Sequence, residues 1–428
     1  MAIVACSTPP GRSGLAVVRL SGKNSYTTIK TFIAKKTLKK KHLFPSLVEL
    51  IDERGEVFDQ AVVTQYLSPN SYTGEDLVEI SCHGNPIIVS KIIDLCLAAG
   101  ASIAEPGEFT KRAFMNDKMD LSEAESVSSI IHAKSLAGVR SGMKNLKGSL
   151  SASVYEIKKI IVGLIANLEF NLDISEDDLQ PNLISNALVE VKQQISILND
   201  CIKNFKESQF FQEGASVVLA GPPNAGKSTL FNLLINKKHS IVTPDEGTTR
   251  DVLEKSLFIK QLPITLKDTA GIRGSQSEAE RQGILKSKEE ILGADLVIMF
   301  DKKPKDSPSN HIYVFNKSDI AKTTDSYDVH ISAKKNKNIQ DLKDMIYNNL
   351  VGSFTPGEIL LTSKRQLSAV SGALKNLKQS YKLLKENNSL ELVVEDLNLC
   401  VGELDKITTK TTRDDILDSV FSSFCVGK

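Results

Sequence analysis

The order of hydrophobic and polar positions divides the chain into stretches with different predicted secondary structure. Up to about residue 115, short runs of apolar and β-branched residues alternate with turn-forming sequences such as PPGRSG at 9–14, which is typical of strands joined by turns. The run PIIVSKIIDLCLAAG at 86–100 has apolar residues at helical spacing and ends on Gly100, a residue favoured just beyond a helix. We therefore expect an α+β domain here.

Helical spacing dominates from about residue 117 to 210 and returns from about 356 onward. Gly and Pro are rare in these stretches, and apolar residues recur three and four positions apart, which predicts long helices with one buried face. One such stripe consists of Ile157, Ile160, Ile161, Leu164 and Ile165. The sequence ISEDDLQPN at 174–182 interrupts the first helical stretch.

The stretch 214–350 alternates predicted strands with loops and helices, a pattern typical of a parallel α/β sheet. The predicted strands begin the sequences ASVVLA, PITLKDTAG, ADLVIMFD and HIYVFNKSD. Ten polar residues, DKKPKDSPSN, separate Phe300 from His311. A parallel crossover with a helix takes roughly a dozen residues or more, so we expect the helix to be missing from this connection.

The sequence thus predicts a multidomain protein. An α+β N-terminal domain precedes an all-α helical domain in two chain segments, and an α/β P-loop domain is inserted between those segments. Insertions of this kind succeed where the ends of an exposed loop lie close together. The predicted boundaries are 1–116 for the N-terminal domain, 117–212 and 353–428 for the helical domain, and 213–352 for the inserted domain.

Composition and cysteine spacing indicate the cellular compartment of the protein. No run of 18 apolar residues is present, so we expect no membrane span. The first residues lack the charged and apolar regions of a secretory signal. The six cysteines are scattered and form no C-x-x-C pair, which argues against a disulfide framework or a zinc site and favours a reducing compartment. We therefore expect a cytoplasmic protein.

The charge pattern gives little support to direct binding of nucleic acid. The formal net charge is +1, and the one basic cluster is AKKTLKKKH at 34–42, whose favoured interpretation is a solvated loop. No surface that combines aromatic and basic residues for stacking is apparent, and the chain has no Trp.

The sequence GPPNAGKS at 221–228 lies between a predicted strand and a predicted helix, which is the context that a phosphate-binding P-loop requires. Lys227 places a charge at the β- and γ-phosphates, the Ser228 hydroxyl is a candidate Mg²⁺ ligand, and the helix N-terminus adds positive potential. The candidate nucleotide-binding residues of this segment are Asn224, Ala225, Gly226, Lys227, Ser228 and Thr229.

Four further motifs follow in the order expected of a guanine-nucleotide site, and one of them, DTAG at 268–271, places an acidic residue at the end of a predicted strand. In NKSD at 316–319, Asp319 can accept hydrogen bonds from guanine N1 and N2, which adenine cannot offer. SAK at 332–334 would close over the base, and GTTRD at 247–251 supplies Thr249 as a second Mg²⁺ hydroxyl. The candidate residues are Thr243, Thr248 and Thr249, then Asp268, Thr269, Ala270 and Gly271, then Asn316, Lys317 and Asp319, and finally Ser332, Ala333 and Lys334.

The residue after DTAG is Ile272, where many GTPases have a Gln that orients the attacking water. The function of the missing Gln could be taken over by a K⁺ ion, which would neutralise the charge that develops in the transition state. Its ligands would be the Asn224 side chain and the backbone carbonyls of Thr243, Asp245 and Thr248. A second candidate is the carboxylate of Glu280. The alternatives remain that Asn224 only caps the turn and that Glu280 lies in an exposed acidic helix start. A nucleotide-binding scaffold without hydrolysis would also fit Ile272.

The motifs resemble those of the MnmE (TrmE) family of tRNA-modification GTPases, which are activated by potassium and by dimerisation. The resemblance covers essentially the whole chain. It rests on the nucleotide motifs and on IVACSTPPGRSGLAVVRLSG, SYTGEDLVEISCHG, PGEFTKRAFMNDKMDLSEAE and the terminal DDILDSVFSSFCVGK. It is favoured over a GTP-dependent switch that assembles ribosomal components, because such a switch has no reason to carry the terminal motifs.

The resemblance implies a homodimer that forms a heterotetramer with MnmG, a partner that contains FAD. Together they would modify carbon 5 of the wobble uridine of tRNA with a one-carbon unit from 5-formyl- or 5,10-methylene-tetrahydrofolate. It also implies site roles: K⁺ at Asn224, Mg²⁺ at Ser228 and Thr249, water orientation by Glu280, and folate binding by Arg19, Glu79, Lys118 and Lys428.

The predicted folate site leaves two alternatives open, one for its carboxylate and one for the role of Cys425. Glu79 can pair with the donor edge of a pterin, and the cationic residues suit the anionic folate tail, but Glu75 is a rival carboxylate four residues away. Cys425 in the terminal CVGK is a candidate nucleophile or acid in one-carbon transfer, or else a small buried residue.

Overall fold

The computed structural model describes residues 1–34, 38, 40–172, 182–235, 253–268, 289–352, 361–386, 389–408, 414–422 and 424–427. The chain forms two compact units. The first consists of 1–128, 145–183 and 375–428, and the second consists of 129–144 and 184–374. Each unit is built on a six-stranded sheet, so the chain is multidomain, as predicted.

The sheet of the first unit is mainly antiparallel. Its strands are β1 (Ile3–Cys6), β2 (Ser13–Ser21), β3 (Ser46–Ile51), β4 (Val57–Tyr66), β5 (Leu77–Gly84) and β6 (Ser102–Ile103). They run in the order β3-β4-β5-β2-β1-β6, and only β1 and β6 are parallel. Alternate residues such as Val18, Val63 and Ile80 are buried, as expected of strands with one covered face.

Short helices cover and flank this sheet: α1 (Ser25–Lys30), α2 (Pro86–Ala98), α3 (Glu108–Met115) and α4 (Leu121–His132). The prediction for α2 is confirmed at both ends. The Asn85 side chain accepts a hydrogen bond from the Ile87 N–H at 3.0 Å, and Gly100 has a φ of +92° just beyond the helix. Both features satisfy groups that a helix end leaves unpaired.

The helical stretch predicted from about 117 continues as α5 (Leu136–Leu146), α6 (Ser149–Leu172) and α7 (Leu183–Glu213). Four residues of the predicted α6 stripe are buried, and Ile160 is 37% exposed at its edge. The interruption at 174–182 lies outside the described residues except for Asn182.

The sheet of the second unit comprises β7 (Ala215–Ala220), β8 (Leu253–Ile259), β9 (Leu262–Asp268), β10 (Leu296–Met299), β11 (His311–Phe315) and β12 (Val329–His330). Its order is β12-β11-β10-β7-β9-β8, with all pairs parallel except β8 and β9. The described residues of this part of the chain include the helices α8 (Lys227–Ile235) and α9 (Ile339–Val351). The predicted parallel α/β pattern is confirmed.

The connection from β10 to β11 contains no helix between 300 and 310, all of which the structure describes, so this prediction is confirmed as well. Aromatic side chains lie close together near the far edge of the sheet. The ring centroid of Phe315 lies 5.3 Å from those of both Tyr327 and His330.

Three helices follow: α10 (Lys364–Lys385), α11 (Leu390–Thr408) and α12 (Asp414–Ser422). In the first unit, α11 packs along α6, and Lys158 forms an ion pair with Asp405 across the two helices. The last helix returns to the N-terminal residues, because Phe421 and Phe424 pack in one cluster with Phe114. Within the described residues, no helix combines the length and apolar character needed to cross a membrane.

Candidate functional sites

The loop between β7 and α8 has the backbone of an anion-binding site. Gly221, Asn224 and Gly226 have φ values of +135°, +62° and +96°, and such conformations turn successive N–H groups toward one concave side. Gly226 is required sterically as well. A Cβ built on it would lie 2.2 Å from the Asn316 side-chain nitrogen, so any side chain would push the two loops apart.

The cationic and oxygen groups expected at the phosphates are in place. Lys227 is 5% exposed, and its Nζ donates hydrogen bonds to the carbonyls of Gly221 at 2.7 Å and Pro222 at 2.9 Å. The Ser228 hydroxyl donates to Oδ2 of buried Asp268 at 2.9 Å. A hydroxyl and a carboxylate in contact suit Mg²⁺, which prefers oxygen ligands, so these residues fit the predicted metal.

Asn316 joins the phosphate loop to the base side of the site. Its amide nitrogen donates to the Ala225 carbonyl at 2.9 Å, and its amide oxygen accepts from the Ala333 N–H at 3.0 Å. Its neighbour Lys317, with a φ of +64°, donates from Nζ to the Asn224 carbonyl at 2.9 Å. Three predicted motifs, around 221–228, 316–319 and 332–334, are therefore in direct contact.

Asp319 is exposed at the end of this loop. A hydrogen bond with Ser332, which is fully buried, lowers the pKa of the Asp319 carboxyl, and Lys335 and Lys334 act in the same direction. An ionised carboxylate accepts hydrogen bonds only, which is the state that pairing with the N1–H and N2–H of guanine requires. The remaining predicted residues of this part, Ala225 and Thr229, lie on the loop and on the first turn of α8.

The Asn224 side chain is exposed, and it has no hydrogen-bond partner among the described residues. Its left-handed backbone is one that Asn tolerates better than most residues, which accounts for Asn at this position without a side-chain cap. The amide oxygen is thus available to a cation. The other predicted residues of the nucleotide site lie outside the described part of the chain: Thr243, Asp245, Thr248, Thr249, Thr269, Ala270, Gly271 and Glu280, with Ile272.

The predicted folate residues Arg19 and Glu79 are brought together by strand register. They are direct partners on β2 and β5, and Arg19 donates from Nε at 3.0 Å and Nη2 at 2.7 Å to Oε1 of Glu79. Oε2 of Glu79 accepts from the Tyr66 hydroxyl at 3.1 Å. The Arg19 and Glu79 side chains are 14% and 23% exposed, so the pair is partly shielded yet reachable.

Aromatic rings and the C-terminal end surround Arg19. Its guanidinium carbon lies 5.5 Å from the ring centroid of Tyr72 and 5.6 Å from that of Phe109, within the range of cation–π attraction. Burial raises the pKa of the Tyr72 hydroxyl, so it stays protonated. The Gly427 carbonyl accepts from Arg19 Nη1 at 3.4 Å and from the Ser7 hydroxyl at 3.0 Å.

Of the other predicted folate residues, Lys118 forms its hydrogen bond elsewhere in the described structure. The Nζ of Lys118 donates to the Pro69 carbonyl at 3.0 Å, and Lys428 lies outside the described residues. The rival carboxylate, Glu75, has partners of its own. Its Oε2 accepts from Arg112 Nη1 at 3.0 Å and from the Ser21 hydroxyl at 2.9 Å.

The cysteines differ sharply in accessibility. Burial raises the pKa of Cys82 to about 11 and that of Cys96 and Cys400 to about 12, so these thiols are poor nucleophiles at neutral pH. Cys425 is exposed, and the interpretation of it as a small buried residue is therefore wrong.

Three contributors were missed from the sequence: Tyr66, Tyr72 and Phe109. Their roles depend on strand register and on the position of α3, because Tyr66 meets Glu79 across two strands and Tyr72 and Phe109 meet Arg19 from distant parts of the chain. A signal was present for Phe109, which lies inside the quoted PGEFTKRAF sequence. The same holds for Tyr72, which lies inside the quoted SYTGEDLVEISCHG sequence, whereas Tyr66 had no distinguishing pattern.

The chain matches two family models. One, described as the MnmE helical domain, matches residues 121–425, and the other, described as the N-terminus of the GTP-binding protein TrmE, matches residues 2–118. Three similar proteins, each named tRNA modification GTPase MnmE, come from Thermotoga maritima, Aquifex aeolicus and Legionella pneumophila. They are 36%, 34% and 35% identical, and each alignment covers 100% of this chain and 99% of the relative.

Among solved structures, a variant of Aquifex aeolicus Era bound to GDP and AlF₄⁻ is similar at 26% identity, over 38% of this chain and 66% of that one, with a TM-score of 0.26.

We expect Asn316→Asp to weaken GDP binding at least tenfold. The substitution replaces the donor that contacts the Ala225 carbonyl by a carboxylate oxygen, so an attraction at 2.9 Å becomes a repulsion. Titration with a fluorescent GDP measures the effect. Asn349→Asp is the matched control, because Asn349 is exposed on α9 and donates only to the Met345 carbonyl. Equal affinities for the two variants would contradict the role given to Asn316.

Proposed function

Because this chain belongs to the MnmE family of tRNA modification GTPases, we propose that it hydrolyses GTP and couples that hydrolysis to the modification of tRNA. The observation that carries the proposal is the contact of Asn316 with both the phosphate loop and the 332–334 loop. That contact brings a phosphate-binding loop and a guanine-selective carboxylate into one site. The family match over the full chain supplies the link to tRNA.

On the nucleotide side, Lys227 and the N–H groups of the loop hold the phosphates, and Asp319 selects guanine. Ser228 and Thr249 would hold Mg²⁺, which when bound neutralises charge on the phosphates. The Asn224 amide oxygen, with backbone carbonyls of Thr243, Asp245 and Thr248, would hold K⁺ next to the phosphates. Glu280 would orient the attacking water, a task that Ile272 cannot perform because its side chain forms no hydrogen bond.

On the modification side, we assign Arg19, Glu79, Lys118 and Lys428 to a tetrahydrofolate site that supplies a one-carbon unit. A charged carboxylate that already accepts from Arg19 and Tyr66 can also accept from the donor edge of a pterin. The carbon would go to C5 of the wobble uridine, in a heterotetramer of two copies of this chain with an FAD-containing partner of the MnmG type.

The same proposal includes the domain boundaries given above, dimerisation through the N-terminal domains and a location in the cytoplasm. The reducing location is supported by the cysteines, since all six are free thiols. Cys425, exposed and two residues from the Gly427 carbonyl that Arg19 contacts, is proposed as a nucleophile or acid in the transfer of the one-carbon unit.

GTP hydrolysis should be at least tenfold faster in K⁺ than in Na⁺ at equal ionic strength. Asn224→Ala should abolish this difference, because it removes the cation ligand, and Glu280→Ala should slow turnover about a hundredfold or more in either salt. Phosphate release by the purified full chain is the measurement, with the exposed Asn349→Ala as the control variant. Equal rates in K⁺ and Na⁺ for the parent protein would remove K⁺ from the mechanism.

Glu79→Gln should weaken binding of 5-formyl-tetrahydrofolate about ten- to a hundredfold, since a charge-assisted hydrogen bond becomes a neutral one. Isothermal titration measures the affinity, and GTP hydrolysis should be unchanged. Glu49→Gln is the matched control, because Glu49 is exposed on β3 of the same sheet. If both variants bind folate as the parent does, the site does not include Glu79.

Cys425→Ser should bind folate normally but lose most tRNA modification in a reconstituted reaction with the partner protein, because a serine hydroxyl is a far weaker nucleophile than a thiol at neutral pH. Cys6→Ser, at a partly buried thiol close to Thr8, serves as the control. Full modification by Cys425→Ser would end the chemical role of this thiol.

A further inference from the structure

The described lysines of the basic run at 34–42, Lys40 and Lys41, are exposed and lie beside aromatic rings. We name this part of the surface the lysine–aromatic surface and define it by Tyr26, Lys30, Lys40, Lys41 and Phe44. The Nζ atoms of Lys30 and Lys40 lie 5.0 and 5.8 Å from the ring centroid of Tyr26. The Nζ of Lys41 lies 4.5 Å from that of Phe44.

Hydrogen bonds fix the described part of this segment to the sheet. The Tyr26 hydroxyl donates to the Leu38 carbonyl at 3.2 Å. The Leu43 N–H donates to the Gln65 carbonyl at 2.8 Å, and the Leu67 N–H donates to His42 Nδ1 at 3.1 Å. These hydrogen bonds hold Lys40 and Lys41 beside α1, so their positive charges lie close together on one small area of the surface.

The charges of this surface are largely uncompensated. Lys40 is 50% exposed and pairs with Asp76 at 3.3 Å, an exposed contact of little strength. Lys30 and Lys41 have no carboxylate partner among the described residues. Phe44 is 45% exposed, although burial of an aromatic ring is favourable. A patch of this kind suits a polyanion that also offers flat apolar faces.

The lysine–aromatic surface borders the candidate folate site. Asp76, the partner of Lys40, follows Glu75 directly and accepts hydrogen bonds from Ser68 N–H at 2.9 Å through its side chain and from the Ser25 hydroxyl at 3.0 Å through its carbonyl. The strand β5, which carries Glu79, begins at the next residue, Leu77. A molecule on the lysines therefore lies near the residues to which we assign the one-carbon chemistry.

We propose that the lysine–aromatic surface binds tRNA, with Lys30, Lys40 and Lys41 on phosphates and Phe44 stacked on an unpaired base. The proposal rests on the function proposed above. RNA is favoured over an acidic protein because its bases supply the flat faces that exposed aromatic rings stack on. It is favoured over a lipid surface because the patch adjoins the site where a uridine must be modified.

The test compares binding of an unmodified, fluorescently labelled tRNA transcript to the full chain over a series of NaCl concentrations. We expect the triple variant Lys30→Gln/Lys40→Gln/Lys41→Gln to bind ten- to a hundredfold more weakly at about 0.1 M salt. The slope of log K against log salt is negative, and its magnitude should decrease by about two, because each lost phosphate contact contributes roughly 0.7 on unpaired RNA. The triple Lys→Arg variant should keep the parent slope.

Phe44→Leu should weaken binding about fivefold or more and leave the salt slope unchanged, since stacking releases no counterions. The matched control is Lys302→Gln/Lys305→Gln/Lys322→Gln, which removes the same charge from exposed lysines of the second unit and should bind tRNA as the parent does. GTP hydrolysis should be unchanged in all variants, because the nucleotide site lies in the second unit.

Three results would overturn the proposal: no tRNA binding by the parent chain, equal loss in the two triple glutamine variants, or binding of the parent to phosphatidylserine vesicles but not to tRNA. None of these bears on GTP hydrolysis. Absence of GTP hydrolysis or of tRNA modification in the reconstituted system would instead count against the proposed function while leaving the binding result in place.

Discussion

The nucleotide site depends on one side-chain amide. Asn316 uses its donor on the phosphate loop and its acceptor on the loop at 332–334, so a residue that could only donate or only accept would lose one of these two contacts. The close approach it makes to Gly226 explains why the loop must be glycine there. Asp319 and Lys227, to which we assign guanine selection and phosphate binding, are distant in sequence, and this amide joins the loops that carry them.

In the first unit, ion pairs between side chains take the place of the side-chain amide. Arg19 with Glu79, and Arg112 with Glu75 and Glu108, form two groups of partly buried ion pairs, and Glu75 also accepts a hydrogen bond from Ser21, on the same strand as Arg19. Although burial alone would lower the pKa of the Arg112 guanidinium, its hydrogen bonds to Glu108 and Glu75 raise it. Paired charges of this kind are costly to separate, so they hold the surface in a defined arrangement before any ligand binds.

Much of this could be predicted from the sequence. Local periodicity gave the strands, the long helices and the missing crossover helix, because those features depend on residues close in the chain. The motifs at 221–228, 316–319 and 332–334, which the structure brings into contact, could be picked out as well, since each is a contiguous loop at the end of a strand. What could not be predicted depends on register and packing. The exposure of Ile160, the contact of Tyr66 with Glu79 and the cation–π contacts of Tyr26 require knowing which distant segments meet.

One feature of the first unit bears on how the protein matures during translation. Gly427 packs against Cys6 and Ser7 so closely that a Cβ on it would lie 2.6 Å from the Cys6 carbonyl, and its own carbonyl contacts Arg19, 408 positions earlier in the chain. At about 5–20 residues per second, a ribosome needs roughly 20–80 s to cover that interval. The surroundings of Arg19 are therefore completed only after nearly the whole chain has left the ribosome, and a product of premature termination would lack them.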